Sequence, residues 1–334
     1  MAKKRRSFPH MGLLLVIVAL AIVNTTFAGS HFDRLEGRVV NNFLNLSTLL
    51  QIFTDTSFFA IMAVGMTAVI VSAGIDLSVG SVYALCGVSM ALMMRAHPEL
   101  NPVIALVVCL AIGLLAGLIN GTAVANLGVH PFIITLGTMW IYRGVAFVSS
   151  KAESVLVPES LTRLLKTGIG GRPDLHPVAT FIMLLVVLAG TIYLTRTVYG
   201  RRIFAVGGNL DAARYSGLPI KRILGGVYVV SGLTAALAAF LGTCYYGSAS
   251  SGDAQGYELY VVASAVVGGA SLNGGKGTAM GAFLGALLIT LIRQSIRTLR
   301  LDQNYEWIII GFAIILAVVF DRLSARSKNG LNVA

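Results

Sequence analysis

Apolar runs of about 20 residues recur along this chain, and a helix of that length is what a hydrocarbon layer of about 30 Å requires of anything that crosses it. The runs and the polar residues that interrupt them predict helices over 11–28, 56–74, 79–95, 102–126, 131–150, 177–197, 223–246, 257–270, 278–297 and 305–321. The expected fold is an all-α integral membrane protein, one transmembrane domain over 1–334. The third helix is short and the eighth covers about 14 residues, so either suits a tilted or re-entrant segment, and the expected count is about ten, within a range of about eight to ten. Only 12% of the residues are charged, against about 25% in an ordinary soluble domain. A water-soluble fold does not fit.

Loops on the cytoplasmic side of a membrane collect Lys and Arg. Placing "MAKKRRSFPH" inside and alternating puts most basic residues on the inner side, with only Asp76, Asp211 and Asp321 as acids there. The outer segments hold basic and acidic residues in balance. Both termini are then cytoplasmic. The net charge of +11 follows from orientation in a membrane, and no nucleic-acid partner is needed to explain it. A rival reading takes Met1 to Ala28 as a cleavable leader, with a basic start, an apolar stretch and small residues near "TFAGS".

Several kinds of chemistry find no support. Cys86, Cys109 and Cys244 fall in apolar spans without metal-ligand spacing, and the five histidines are scattered without a carboxylate cluster. Neither a metal site, a cofactor site nor a hydrolytic centre is expected. "GGASLNGGKGT" suggests a phosphate loop, but the template needs Gly at 270 and Ser or Thr at 277, where this chain has Ala270 and Gly277. Any ATP that drives this protein must be hydrolysed by another subunit.

Gly113, Gly117 and Gly121 form one stripe at four-residue spacing, and Gly277, Gly281 and Gly285 form another, a pattern that lets helices approach closely in lipid, within the chain or between subunits. Arg143 is the one charge well inside a predicted span, so it should face protein or water and find a partner. Two readings stay open for it: a structural bond to backbone carbonyls, or a place on a translocation path with Thr138, Trp140 and Tyr142, which suit a polyhydroxylated solute. "AGIDLSVGS" breaks two apolar runs around Asp76 and reads as a tight turn or a gate element.

The basic stretch "YGRRIFAVGGNLDAARYSGLPIKR", 199–222, contains a short helix with both ends written into it. Asn209 can cap it, Asp211 sits in the positive first turn, Arg214 lies toward the negative end, Gly217 can close it in the left-handed conformation, and Pro219 stops continuation. A helix of about seven residues is marginal alone and needs tertiary or partner contacts. Positive charge alone would not require two caps.

With "FFAIMAVGMTAVIVSAGIDLSVGS" and "GYELYVVASAVVGGASLNGGKGT" on either side of that stretch, the chain from about Asn45 to Asp321 resembles the permeases of ATP-binding cassette importers in the ribose, xylose and galactose family, which includes permeases for autoinducer-2. The resemblance implies a bacterial inner-membrane permease subunit that moves a monosaccharide or similar solute, paired with a second permease copy or a related chain. It also implies ATP-binding cassette subunits beneath and a periplasmic or extracellular solute-binding protein above. In such importers the loop matching 199–222 couples to the ATPase, which assigns that role to Gly200, Arg201, Arg202, Gly207, Gly208, Asn209, Asp211, Arg214 and Gly217. A branched-chain amino acid or nucleoside permease of the same class is the near alternative. An ion-coupled carrier is a further one.

Overall fold

The computed structural model describes residues 11–33, 37–168, 175–312 and 315. Helix α1 (Met11–Phe27) leads into a small hairpin, β1 (Ser30–Asp33) antiparallel to β2 (Arg38–Asn41). Helices α2 (Leu46–Val71), α3 (Val79–Ala96), α4 (Pro102–Leu127) and α5 (Pro131–Ser150) follow, then strand β3 (Val155–Leu156) and the short α6 (Glu159–Leu165). Helix α7 (Val178–Arg196) is continued by α8 (Val198–Gly208) and α9 (Leu210–Tyr215). Next come α10 (Ile220–Tyr246), strand β4 (Ser248–Ala249) paired with β3, α11 (Tyr257–Val267) and α12 (Ala279–Thr298). Residues 305–312 are also helical. The rest of the expected span over 305–321, apart from residue 315, lies outside the described residues.

Among the described residues, 7 helices are long and apolar enough to cross a membrane: α2, α3, α4, α5, α7, α10 and α12. Helices α1 and α11 are apolar but shorter. At 11 residues, α11 extends about 17 Å, roughly half the hydrocarbon thickness. It therefore has the length of a re-entrant element.

The second helix begins at Leu46, well before the expected start at 56. Asn45 caps it by accepting from the Thr48 N–H at 2.8 Å. Its polar first turns, which read as loop, are held by partners: Gln51 Nε2 donates to Asp55 Oδ1 at 2.8 Å, and Arg297 of α12 lies 3.4 Å from Asp55 Oδ2. Asp55 thus sits within a helix, not at its edge. Every residue of α2 from Thr56 to Val71 is buried, with α10, α12, α7 and α11 packed around it. Helix α1 joins the bundle on α12, where Asn24 Nδ2 donates to Ser295 Oγ at 2.7 Å.

Both glycine stripes are packing surfaces within the chain. A side chain at Gly113, Gly117 or Gly121 would collide with the backbone of α10 at Gly232, Tyr228 and Gly225 respectively. On α12, Gly281 meets the Gly268 carbonyl and Gly285 the Ser264 carbonyl at the end of α11. Between helices in lipid there is no hydrophobic driving force, so this close van der Waals approach supplies much of the attraction. Gly117→Ala should cost about 1–3 kcal/mol through overpacking, read as a lower thermal midpoint in detergent. Gly144→Ala, which meets nothing within 4 Å, should not lower it; equal midpoints for the two variants would refute the α4–α10 contact.

Candidate functional site

Helix α9 forms as its caps require. Asn209 Oδ1 accepts from the Ala212 N–H at 2.9 Å, Asp211 stands in the first turn and Arg214 in the last. At the other end Gly217 takes φ 72°, its N–H donates to Arg214 O at 3.0 Å, and the Leu218 N–H donates to Ala213 O at 3.2 Å. That pair of bonds is the Schellman closure. A helix of 6 residues cannot hold itself in water; α9 is held by its caps and by burial of Ala213. It presents Arg214 and Tyr215 outward, the latter 90% exposed.

The preceding α8 has no counterpart in the sequence reading, because three glycines lower its helix propensity. Packing overrides that. Thr197 caps it by accepting from the Gly200 N–H at 2.9 Å, and Gly200 lies against the Tyr193 and Leu194 carbonyls of α7. Tyr199 O–H donates to Arg222 O at 2.7 Å, tying the start of α8 to the start of α10. Burial pushes the Tyr199 phenol above its ordinary range, with Arg202 pulling it back. Arg201, Arg202 and Gly208 are exposed on this element.

At its far end α8 meets the last turn of α2. Any side chain at Gly207 would overlap the Val71 carbonyl, and Gly275 donates its N–H to that same oxygen at 2.8 Å. Gly274, in the left-handed region at φ 82°, packs on the Gly207 carbonyl. Three backbones therefore meet with no side chain between them: the end of α2, the α8–α9 corner and the turn over 271–277.

The segment over 72–78 leaves that junction and enters the protein. Asp76 is 2% exposed. Its Oδ1 accepts from Ser78 N–H at 3.0 Å and Ser78 Oγ at 2.7 Å, and its Oδ2 accepts from Ser231 Oγ of α10 at 2.7 Å. Asn120 of α4 donates to Ser78 Oγ at 2.8 Å, and Tyr142 of α5 donates to Asn120 Oδ1 at 3.4 Å. Burial pushes the Asp76 carboxyl above the usual carboxylate range, and its bonds to Ser78 and Ser231 act against that. Asn120 and Ser231 escaped the sequence reading; the available signal was a polar side chain in mid-span, which must find a protein partner.

Arg143 is 8% exposed and donates from Nη1 to Ser251 O at 2.7 Å and Asp253 O at 2.6 Å. These carbonyls belong to the irregular segment between β4 and α11. Burial also raises the Asp253 carboxyl above its usual range, against the Ser250 N–H and Arg143. Thr138 is buried and donates to Thr135 O, Tyr142 joins the Asp76 network, and Trp140 is 66% exposed on the outer face of α5. These four side chains do not converge on one cavity.

A cavity of about 280 Å³ lies instead toward the start of α2, lined by Asp55, Phe58 and Phe59 with Tyr246, Tyr257, Arg293 and Glu306 among others. Helix α2 joins the two ends: Asp55 and Val71 are about 24 Å apart along its axis.

Residues 48–318 match the family model described as branched-chain amino acid transport system / permease component. The chain is 37% identical to the ribose import permease protein RbsC of Escherichia coli (strain K12) over 92% of each chain. It is 36% identical to the D-allose transport system permease protein AlsC of the same strain, over 85% of this chain and 86% of that one. To the autoinducer 2 import system permease protein LsrD of Yersinia enterocolitica it is 32% identical over 93% and 92%. No solved structure matches.

Removing the Arg143 guanidinium takes the donor from two carbonyls of the 250–256 segment, that of Ser251 being buried. Arg143→Met should therefore lower the thermal midpoint by the equivalent of about 1–3 kcal/mol for each unpaired group, whereas Trp140→Phe should leave it in place. An unchanged midpoint for Arg143→Met would show that the 250–256 segment does not lean on it.

Proposed function

The chain belongs to the family of branched-chain amino acid transport system permease components, and from that premise we propose that it is the membrane-spanning subunit of an ATP-driven importer whose solute is a monosaccharide or a similar small polyol. Relatives named for ribose, allose and autoinducer 2 import, each at least 32% identical over most of the chain, support the sugar over an amino acid. The protein is a multi-pass component of a bacterial inner membrane.

The observation that carries the mechanism is the junction of Gly207, Val71 and Gly275 behind a doubly capped α9. We place α8 and α9 on the cytoplasmic face, with both termini, in the groove of an ATP-binding cassette partner. Arg201, Arg202 and Arg214 would meet acidic groups there, and Tyr215 would be covered, since a large exposed aromatic on a protruding helix suits a protein contact. Asn209, Asp211 and Gly217 shape the docking helix, whereas Gly200, Gly207 and Gly208 let its support fold tightly. Closure of the ATPase pair would push α9, and the glycine junction would pass that displacement to α2 and to the segment over 72–78. A second permease subunit completes the path, and a solute-binding protein delivers from the opposite side. Arg143 acts in this scheme by holding the 250–256 segment in place, with Thr138, Trp140 and Tyr142 along the same helix.

Reconstitution with the ATPase and binding-protein partners tests this. Wild-type uptake should require ATP, Arg214→Glu and Tyr215→Ser should reduce it at least tenfold with the thermal midpoint retained, and Gly207→Ala should abolish it. Normal uptake by all three variants would remove the coupling role. Uptake that persists without ATP and collapses with a proton uncoupler would replace the importer by a gradient-driven carrier, for which the buried Asp76 would be the first group to examine.

A further inference from the structure

We infer that the 280 Å³ cavity between α2, α10, α11 and α12 is a binding site for one neutral, polyhydroxylated solute of monosaccharide size. The inference rests on the importer reading for the solute's direction of travel, and on the geometry of the cavity for its chemistry. At about 30 Å³ per liquid water, the space holds about nine waters, the scale of a single sugar ring with its hydroxyls.

The cavity has an apolar wall and a polar wall. Phe58 and Phe59 of α2, Tyr246 of α10 and Tyr257 of α11 line the first, with the Phe59 and Tyr257 ring centroids 4.7 Å apart. Tyr246, 57% exposed, offers the ring on which the C–H face of a sugar can stack, with Phe58 and Phe59 buried behind it. On the second wall, Arg293 Nε lies 2.8 Å from Glu306 Oε1 and Arg297 Nη2 lies 3.4 Å from Asp55 Oδ2. Arg293 is further held with its Cζ 5.4 Å from the Phe59 and Tyr260 rings, so its N–H groups are oriented before any ligand arrives. Gln51 is positioned in the same way, donating to Asp55 and accepting from Tyr245 O–H at 2.7 Å.

Charge balance sets the class of ligand. Two carboxylates face two guanidinium groups, so the wall carries no net formal charge. A hydroxyl both donates and accepts, and can therefore bridge a carboxylate oxygen and a guanidinium N–H without breaking either pair. An anion or a cation would have to pull one pair apart and leave a charge uncompensated in a partly desolvated place. A small aliphatic zwitterion would compete for both pairs while leaving the aromatic wall poorly covered.

Trp307 gives a built-in reporter, with its ring centroid 5.7 Å from that of Tyr260. In a Trp140→Phe background it is the sole tryptophan of the chain. The assembled transporter in nanodiscs is titrated with D-ribose, D-glucose and sorbitol, and separately with L-leucine. At least one polyol should change Trp307 emission saturably, and the midpoint should weaken tenfold or more in both Tyr246→Leu and Asp55→Asn, with a matching rise in the uptake KM. Asp55→Asn keeps the test valid should Tyr246→Leu fail to fold. Saturation by L-leucine alone, or a polyol response that neither variant shifts, would overturn the site. ATP-driven sugar uptake with no polyol response at Trp307 would also overturn it while leaving the importer standing. A polyol response without ATP-dependent uptake would support the site and remove the importer.

Discussion

Where α8 ends, its backbone rests directly on the last carbonyl of α2, and the placement of the α8–α9 corner and of the 271–277 turn depends on that contact. Gly207 has no side chain to rotate away, the Val71 oxygen is already bonded to the Gly275 N–H, and α2 behind it is buried without interruption from Thr56. Close-packed interiors transmit displacement instead of absorbing it. Phe58 and Phe59 lie about 20 Å along the same helix from that contact. One helix links the α8–α9 corner to the cavity.

The remainder of the architecture follows from the need of buried polar groups for partners. Three segments leave helical geometry where helices end, over 72–78, 250–256 and 268–277, and each finds bonds within the protein. Thr135 and Tyr228 both donate to Ile75 O at 3.3 Å, Arg143 serves Ser251 and Asp253, and Ser271 donates its N–H to Lys276 O at 3.1 Å. Asp76 gathers donors from the 72–78 segment and from α10, with α4 one bond further out and α5 two. Such breaks are tolerated only because surrounding helices pay for them in bonds.

Glycine has two distinct uses here. On α4 and α12 it removes side chains so that whole helices can touch, which gives rigidity along their length. At 274, 275 and 217 it accepts a left-handed conformation that ends or reverses the chain. The two uses meet at the α2 junction, where a turn that needs glycine packs on a corner that has room for nothing larger.

Local physics was legible in the sequence: the apolar runs marked about ten helices, seven of which are long and apolar enough to cross a membrane among the described residues, the glycine spacing marked close helix contacts, and the caps from Asn209 to Gly217 specified α9 almost residue for residue. These signals act over a turn or two of chain, so the sequence carries them openly. Tertiary structure alone decided the rest. Asp55 looked like a boundary until Arg297, 242 residues away, met it inside the bundle. α8 looked broken by its glycines until α7 and α2 packed against them. Asp76 and Ser231, 155 residues apart, share a bond that no local pattern announces. A charge or a glycine states what it needs, whether a partner or a close neighbour, but only the folded chain supplies which one, because that choice depends on distances set by every other helix at once.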